Sequence, residues 1–420
     1  MRHICRRLPR LTCLPSAMLF SVRRGKCSTT KHTGRRTSKA RIWNSRGYEM
    51  EKQSYVSPGQ VIVTLAVTRI LFSTVHLISL HAGRSIQDVL PALLAAFLLN
   101  LLTALPLLAL LKRHRGKDLV ECATNIFGRG AGIVTATFYF LLFGWSNIVT
   151  QMTTRYYIND TVLEEAKVYA ILLPLLAITV YIAAKGFESI VRFGTIVFAF
   201  YAGIMVLLVC TLIPSIRPSI GPRFLLPLFF NGPGIFVNEL IAQFNGNVGI
   251  IYLAFCASFF KSSIKLGKVF AKWNLLMLVL MVVLYVLCIA VLGPFGARQF
   301  FPLEYLAAQS TVSVFDRLDP LYSMPWMLNM VLTVSLFLYF QIQCLEKIGL
   351  RKHRKVIVIL VGILDSAATF FLQNYDNIAT QYALNWFFTG ANLMGMIVLP
   401  LILLIGDRIV RGKGTAHEMA

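Results

Sequence analysis

Charge is what this chain has least of. Only 14% of its 420 residues are Asp, Glu, Lys or Arg, while 56% are hydrophobic. A soluble globular domain is about a quarter charged and about half apolar, so this balance excludes an ordinary soluble enzyme. Cysteine is sparse, with eight in the whole chain. That scarcity excludes a disulfide scaffold, and the lack of any CxxC pair argues against a zinc ribbon and a thioredoxin-type redox pair. No Walker motif, HExxH, GxSxG or GxGxxG stands in a usable context. No catalytic residue, metal ligand or cofactor is therefore assigned. Acids are scarcer still, 18 against 41 Lys and Arg, for a net charge of +23. Residues 1–49 hold 13 of the bases and one acid, Glu49. The excess is thus divided between a tail and interhelical loops, and nucleic-acid binding is not the first reading.

Residues 1–49 are basic and Ser/Thr-rich. They fit a disordered arm on anionic lipid, a transit peptide, or an extension upstream of the true start. Met50, followed by Glu51-Lys52-Gln53 and then an apolar run, is a natural start, and this third reading is preferred. Residues 50–420 form the membrane domain.

Long apolar runs dominate that domain. A spanning helix needs about 20 apolar residues, and ten segments qualify: 58–80, 88–111, 131–151, 168–184, 189–213, 233–256, 270–292, 321–344, 356–373 and 383–405. No alternating barrel pattern is visible, so the class is all-α integral membrane. With the N-terminus cytoplasmic, 20 loop Lys/Arg fall inside and seven outside, which places both termini in the cytoplasm. Ten spans divide as five plus five, with repeat one at 57–213 and repeat two at 232–405. Five-span repeats have opposite topology, the inverted-repeat plan of LeuT-like and amino-acid-permease-like transporters, whose first and sixth spans break at mid-membrane around the ligand. Span 6 fits: Gly232-Pro233-Gly234 opens it, and Asn245-Gly246-Asn247-Val248-Gly249 interrupts it with poor helix formers. Span 1 has no Gly or Pro near its middle.

Several local patterns, in order, resemble the B-subunit family of spore-germination nutrient receptors. They are Ser57-Pro58-Gly59-Gln60, Ala82-Gly83-Arg84 and Gly116-Lys117-Asp118-Leu119-Val120-Glu121 with Phe127-Gly128-Arg129. They continue with Gly186, Glu188 and Arg192, then Leu226-Pro227 and Asn231-Gly232. Phe301-Pro302-Leu303-Glu304, followed by Phe315-Asp316-Arg317-Leu318-Asp319 and Trp326, is the most specific stretch. The resemblance covers about residues 55–405. It implies a permease-like fold in the spore inner membrane, a small germinant (often an amino acid), and A and C partner subunits. Leu71-Phe72-Ser73 stands where that family often has span 1 glycines, Ala166-Lys167 where it has Thr-Pro, and Ile250-Ile251 where it has an acid.

Each candidate site residue has a structural reading beside the functional one. Asn245, Gly246 and Asn247 offer a zwitterion unwound backbone and half-helix ends, or else form a packing kink. Ser73 and Thr74 hold the corresponding place in span 1, though intrahelical bonding is the commoner use of such hydroxyls. Asn329 and Thr333 share a face of span 8 and serve the pocket or interhelical bonding. Trp145 and Asn147 in span 3 are weaker. Arg69 and Glu239 are intramembrane charges on neighbouring spans, candidates for an ion pair or for a proton or ligand site, with Glu239 otherwise at the water interface. His76 is a lone interfacial histidine. Asp365 in span 9 shows no evident basic partner. Arg317 and Asp319 read as structural, with Asp319-Pro320 starting a helix. The leading functional expectation is a membrane subunit that binds a germinant between spans 1, 3, 6 and 8 and signals to partners. An ion-coupled amino-acid permease and a ligand-free scaffold subunit are the alternatives.

Overall fold

The computed structural model describes residues 56–75, 86–163, 166–216, 232–246, 248–261, 263–299, 301–310, 319–372 and 386–418, with backbone alone for 71–75, 86–87, 297–298, 386 and 411–418. All lie in one compact unit spanning Lys52–Ala420. The basic tail, Asn247, His76 and Arg317 lie outside the described residues.

Every regular element among the described residues is helical. In chain order they are α1 (Pro58–Val75), α2 (Ile86–Thr103), α3 (Leu105–Arg113), α4 (Leu119–Phe127), α5 (Arg129–Tyr157), α6 (Val168–Lys185), α7 (Phe187–Leu212) and α8 (Pro233–Gly246). They continue with α9 (Ile250–Cys256), α10 (Leu266–Leu292), α11 (Pro302–Ala308), α12 (Asp319–Leu345), α13 (Arg354–Phe371), α14 (Trp386–Leu393) and α15 (Leu399–Glu418). Seven helical stretches among the described residues are long and apolar enough to cross a membrane. They follow the expected spans 2 to 7 and 10. Spans 1, 8 and 9 are also helical, as α1, α12 and α13, but fall outside that set of seven. The structure therefore supports seven membrane-length stretches, and ten remains the reading of the sequence.

The packing is inverted relative to a soluble protein. Leu98, Leu102, Leu173, Ile196, Val206, Leu275, Leu360 and Leu364 all point outward, while Arg69, Asp88, Asn100, Asn147, Glu239, Asn245, Asn329 and Gln341 are buried. Outward apolar side chains on successive helices are what lipid solvates, and inward polar ones must find partners in protein. The α8–α9 stretch is the centre of the bundle, since 88% of its apolar window is buried against 28–56% for the other six.

Glycine sets the sharpest turns. Gly128 alone links α4 to α5 and Gly186 alone links α6 to α7, at φ 88° and 97°, a region that L side chains avoid. The described part of α12 opens with Asp319 and Pro320. α1 runs unbroken from Pro58 to Val75, in keeping with its lack of an interior Gly or Pro. α8 and α9, by contrast, are two helices, with Val248 and Gly249 outside both.

The end of the bundle that carries Lys112, Arg113, Arg115 and Lys117 is tied by a polar knot around Asp118 and, separately, by Arg113 on Asp407 of α15 at 3.3 Å. Asp118 caps α4 by accepting from the Glu121 N–H at 2.9 Å, and Glu121 Oε2 accepts from the Asp118 N–H at 3.2 Å, a reciprocal capping box. Lys347, just past α12, pairs with Asp118 at 3.2 Å and with Glu121. Burial alone would lower the Lys347 pKa, but the two carboxylates outweigh it and hold the ammonium above the usual lysine value. Gln343 Nε2 donates to Asp118 Oδ2 at 3.1 Å and to the Phe255 carbonyl of α9 at 3.3 Å.

Beneath this knot, burial pushes the Cys122 thiol up to about 12, with Asp118 and Glu121 adding to it. An unfolded thiol ionises near ~8.5, so this contribution to stability is complete below that pH and fades as pH rises from there toward 12. At pH about 8, Cys122 is expected to resist iodoacetamide in mild detergent and to react after denaturation. Peptide mass spectrometry reads both states, and rapid native alkylation contradicts the placement.

Candidate functional site

The break between α8 and α9 gathers side chains from five helices. Asn245, one residue before the end of α8, is buried. Its Nδ2 donates to Thr389 Oγ1 of α14 at 2.7 Å, and its Oδ1 accepts from Asn392 Nδ2 at 3.2 Å. Its backbone carbonyl accepts from Arg69 Nη2 at 2.8 Å, and the next carbonyl, Gly246 O, accepts from the same nitrogen. Arg69 Nη1 donates to the Tyr252 hydroxyl of α9 at 3.2 Å, with the guanidinium carbon 5.4 Å from that ring's centre. The Tyr252 hydroxyl also bonds the Ser146 side chain of α5.

An aromatic floor lies under the break. Tyr252 packs against Phe143, Phe337 and Phe340 with ring centres 6.0, 5.5 and 6.3 Å away. Gly249 closes the other side. A Cβ built there would stand 2.1 Å from Trp273 Cη2, so the indole of α10 lies directly on the backbone. Glycine is needed for space here; its φ of −114° is open to any residue.

Asn329 of α12 is buried, and its Nδ2 donates to the Val67 carbonyl of α1 at 2.8 Å. Thr333 bonds the Asn329 backbone carbonyl at 2.8 Å and its Oδ1 at 3.3 Å. In this arrangement Asn329 ties α1 to α12, and Thr333 steadies it. Trp145 is half-buried on α5, and its Nε1 is buried with no hydrogen-bond partner among the described residues. Ser73 and Thr74 continue α1, their side chains outside the described residues. Glu239 is buried on α8, six residues before Asn245 and so about 9 Å up the helix. The Arg69 guanidinium, from α1, meets the other end of α8, and the Arg69–Glu239 pair stays a proposal.

Sequence reasoning missed much of this. Tyr252, Trp273, Thr389 and Asn392 went unnoticed, although Thr389 and Asn392 are three apart in an apolar span and so share a face. Asp365 has partners of a kind not foreseen. Its Oδ2 accepts from Asn147 Nδ2 at 2.6 Å and Gln341 Nε2 at 2.7 Å, a second buried polar cluster joining α5, α12 and α13. At the opposite end from the Asp118 knot, the Phe301-Pro302-Leu303-Glu304 stretch forms α11. There Glu304 accepts from Tyr157 at 2.5 Å and Ser323 at 2.8 Å, and Tyr157 stacks on Trp326.

No curated protein matches the chain in sequence. A family model described as "Spore germination protein" matches residues 55–378. Three solved structures are similar. MhsT in complex with L-phenylalanine aligns at 13% identity over 84% of this chain and 98% of its own, with a TM-score of 0.58. A Na+-coupled sialic acid symporter in a substrate-bound outward-open state aligns at 10% identity, 84% and 92%, with 0.56. Mhp1, a nucleobase-cation-symport-1 family transporter in a closed conformation with bromovinylhydantoin, aligns at 11% identity, 81% and 91%, with 0.52. These likenesses are of fold. They show the all-α, LeuT-like transporter architecture read from the sequence, in a multi-pass membrane protein.

Proposed function

Because the chain belongs to the spore germination protein family, we propose that it is the membrane subunit of a spore nutrient receptor, which binds a small germinant and passes the event to partner subunits. The carrying observation is the buried break between α8 and α9, where Asn245 holds α14 through two side-chain bonds while its carbonyl meets Arg69. The same fold in MhsT is seen with L-phenylalanine, which supports an amino acid as the first ligand class to try. The basic end faces the cytoplasm on this reading, and the membrane is that of the spore interior. The A and C receptor subunits are the proposed partners.

A ligand at the junction of α1, α5, α8–α9 and α12 is contacted by Trp145, Asn245, Gly246, Asn247, Asn329 and Thr333, with Ser73 and Thr74 from the upper part of α1. It competes for the bonds that now join Asn245 to α14 and Asn329 to α1. Exchanging those bonds for ligand bonds frees one set of helices from the other. The signal is as strong as the difference in affinity between the two arrangements, and no stronger.

Spores carrying Asn245→Ala test the reading over a panel of amino acids and sugars, with abundance followed by immunoblot. Losing bonds of about 0.5–1.5 kcal/mol each shifts the dose response for one germinant by roughly tenfold. An unchanged response to every germinant at normal abundance contradicts it. The second reading, an ion-coupled amino-acid permease, draws on the Na+-coupled symporter of the same fold. Counterflow of labelled amino acid in proteoliposomes would favour it.

A further inference from the structure

We infer that Arg69 is a tethered cation, filling the carbonyl end of α8 where a broken-helix transporter holds a diffusible one. The last four carbonyls of a helix have no partner within it, and they carry the negative end of the helix dipole. When such an end lies at mid-membrane, it attracts a cation, and unwound carbonyls are the usual ligands for Na+ in this class of architecture.

In this chain the end is already occupied. Asn245 O and Gly246 O converge on Arg69 Nη2, and Nη1 reaches the Tyr252 hydroxyl at 3.2 Å. Arg69 is 2% exposed. The fixed fork of guanidinium donors suits paired acceptors. The Tyr252 ring face adds a further site of negative potential beside the charge. The α1 carbonyl turned toward α12 is met in the same manner, because Asn329 Nδ2 donates to Val67 O at 2.8 Å. At these two places, among the described residues, the protein supplies its own donor to backbone oxygen.

Two consequences follow. The resting fold needs no Na+ to neutralise the break, so its stability is indifferent to the choice of alkali ion. Removing the guanidinium leaves a carbonyl-lined hole that accepts a small cation. The inference deepens the proposed ligand reading, since the junction is the same, but its test needs no germinant.

The test is thermal melting of the full chain in lipid nanodiscs, in choline chloride with NaCl, LiCl or KCl exchanged at constant ionic strength. Wild-type protein is expected to melt within about 1 °C in all four salts. Arg69→Ala is expected to melt lower by about 5 °C or more, as a buried charge site losing one partner should. It regains part of that loss, saturably, with millimolar methylguanidinium or Na+ but not with choline. Should Arg69→Ala fail to fold, Arg69→Lys keeps the charge and is expected to melt between wild type and complete loss, and the wild-type salt series decides alone. Saturable Na+-specific stabilisation of wild type overturns the inference, as does an Arg69→Ala variant that melts like wild type or that no small cation restores. If no germinant stabilises wild type while the cation results hold, it is the ligand reading that fails.

Discussion

Gly249→Ala is expected to collapse the centre of the bundle, and Trp273→Leu in the same chain is expected to restore much of it. The added Cβ would lie 2.1, 2.4 and 2.5 Å from three atoms of the Trp273 six-membered ring. Contacts under 3.0 Å are not tolerated, so either ring or backbone must move. The ring has little freedom: Trp273 is 2% exposed and stacked on Phe270 with centres 5.7 Å apart. The backbone has little either, because α9 begins at the next residue and is buried along its whole length. Overpacking a well-filled core costs about 1–3 kcal/mol and sometimes more, and this site belongs at the upper end. Leucine at 273 removes the atoms that clash. Coupling between two residues in contact is expected to be about 1–3 kcal/mol in a double-mutant cycle. Melting temperature and membrane abundance read the effect. Additive losses in the double variant would mean that the ring does not rest on Gly249.

The second large effect is expected at the basic end. Asp118→Ala removes three things together: the cap on the Glu121 N–H, the acceptor for Gln343 and the partner of Lys347. The cap accounts for about 1 kcal/mol. The Asp118 side chain is fully buried while that of Lys347 is 28% exposed, so the pair falls below the ~3–5 kcal/mol of a fully buried one. A total near 3 kcal/mol is expected. Asp118→Asn keeps an oxygen for the cap and drops the charge, so it should lose less. Lys347→Met should lose less than Asp118→Ala, because the cap and the Gln343 bond survive it. The ranking is read from melting in nanodiscs. Equal losses for Asp118→Ala and Asp118→Asn would show that capping contributes nothing. The consequence reaches the centre, since Gln343 also holds the Phe255 carbonyl of α9.

The sequence shows what depends on local chemistry. Span boundaries follow from runs of apolar residues, and the break follows from the Asn- and Gly-rich stretch at 245–249, although α8 continues through Asn245 and Gly246 before it ends. Asp319-Pro320 reads as a helix start because proline's missing N–H is no loss there, and the residues before it lie outside the described ones. The even course of α1 is legible from the same rule in reverse. What local chemistry cannot show is where a long side chain ends. Arg69 lies 176 residues from the carbonyl it serves, and nothing in its own span distinguishes a bond to Glu239 from a bond to backbone. Asp365 misled for a related reason. A buried acid calls for a base by charge alone, whereas two neutral amides from α5 and α12 meet this one. Trp273 on Gly249 is likewise a fact of three dimensions, invisible until α10 is laid against the break.

The family motifs are explained by position more than by ligand chemistry. Gly116–Glu121 builds the capped knot on Lys347. Phe301–Glu304 builds α11, which fastens Tyr157 and Ser323 at the other end. The two motifs therefore brace opposite ends of the bundle, and the junction between α8 and α9 lies in the helices they hold.

The most direct measurement is germinant binding to the purified full chain in nanodiscs, followed as a rise in melting temperature over a panel of amino acids and sugars. A ligand that binds the folded state at a hundred times its Kd contributes about 2.7 kcal/mol, a shift well within reach. The account predicts that one germinant stabilises wild-type protein in a saturable manner, that Asn245→Ala loses this response, and that Glu188→Gln, in an exposed pair with Arg192 at the start of α7, keeps it. A germinant that stabilises wild type and Asn245→Ala alike would contradict the placement of the ligand at the break, and a panel with no response would contradict the claim that this subunit binds a germinant.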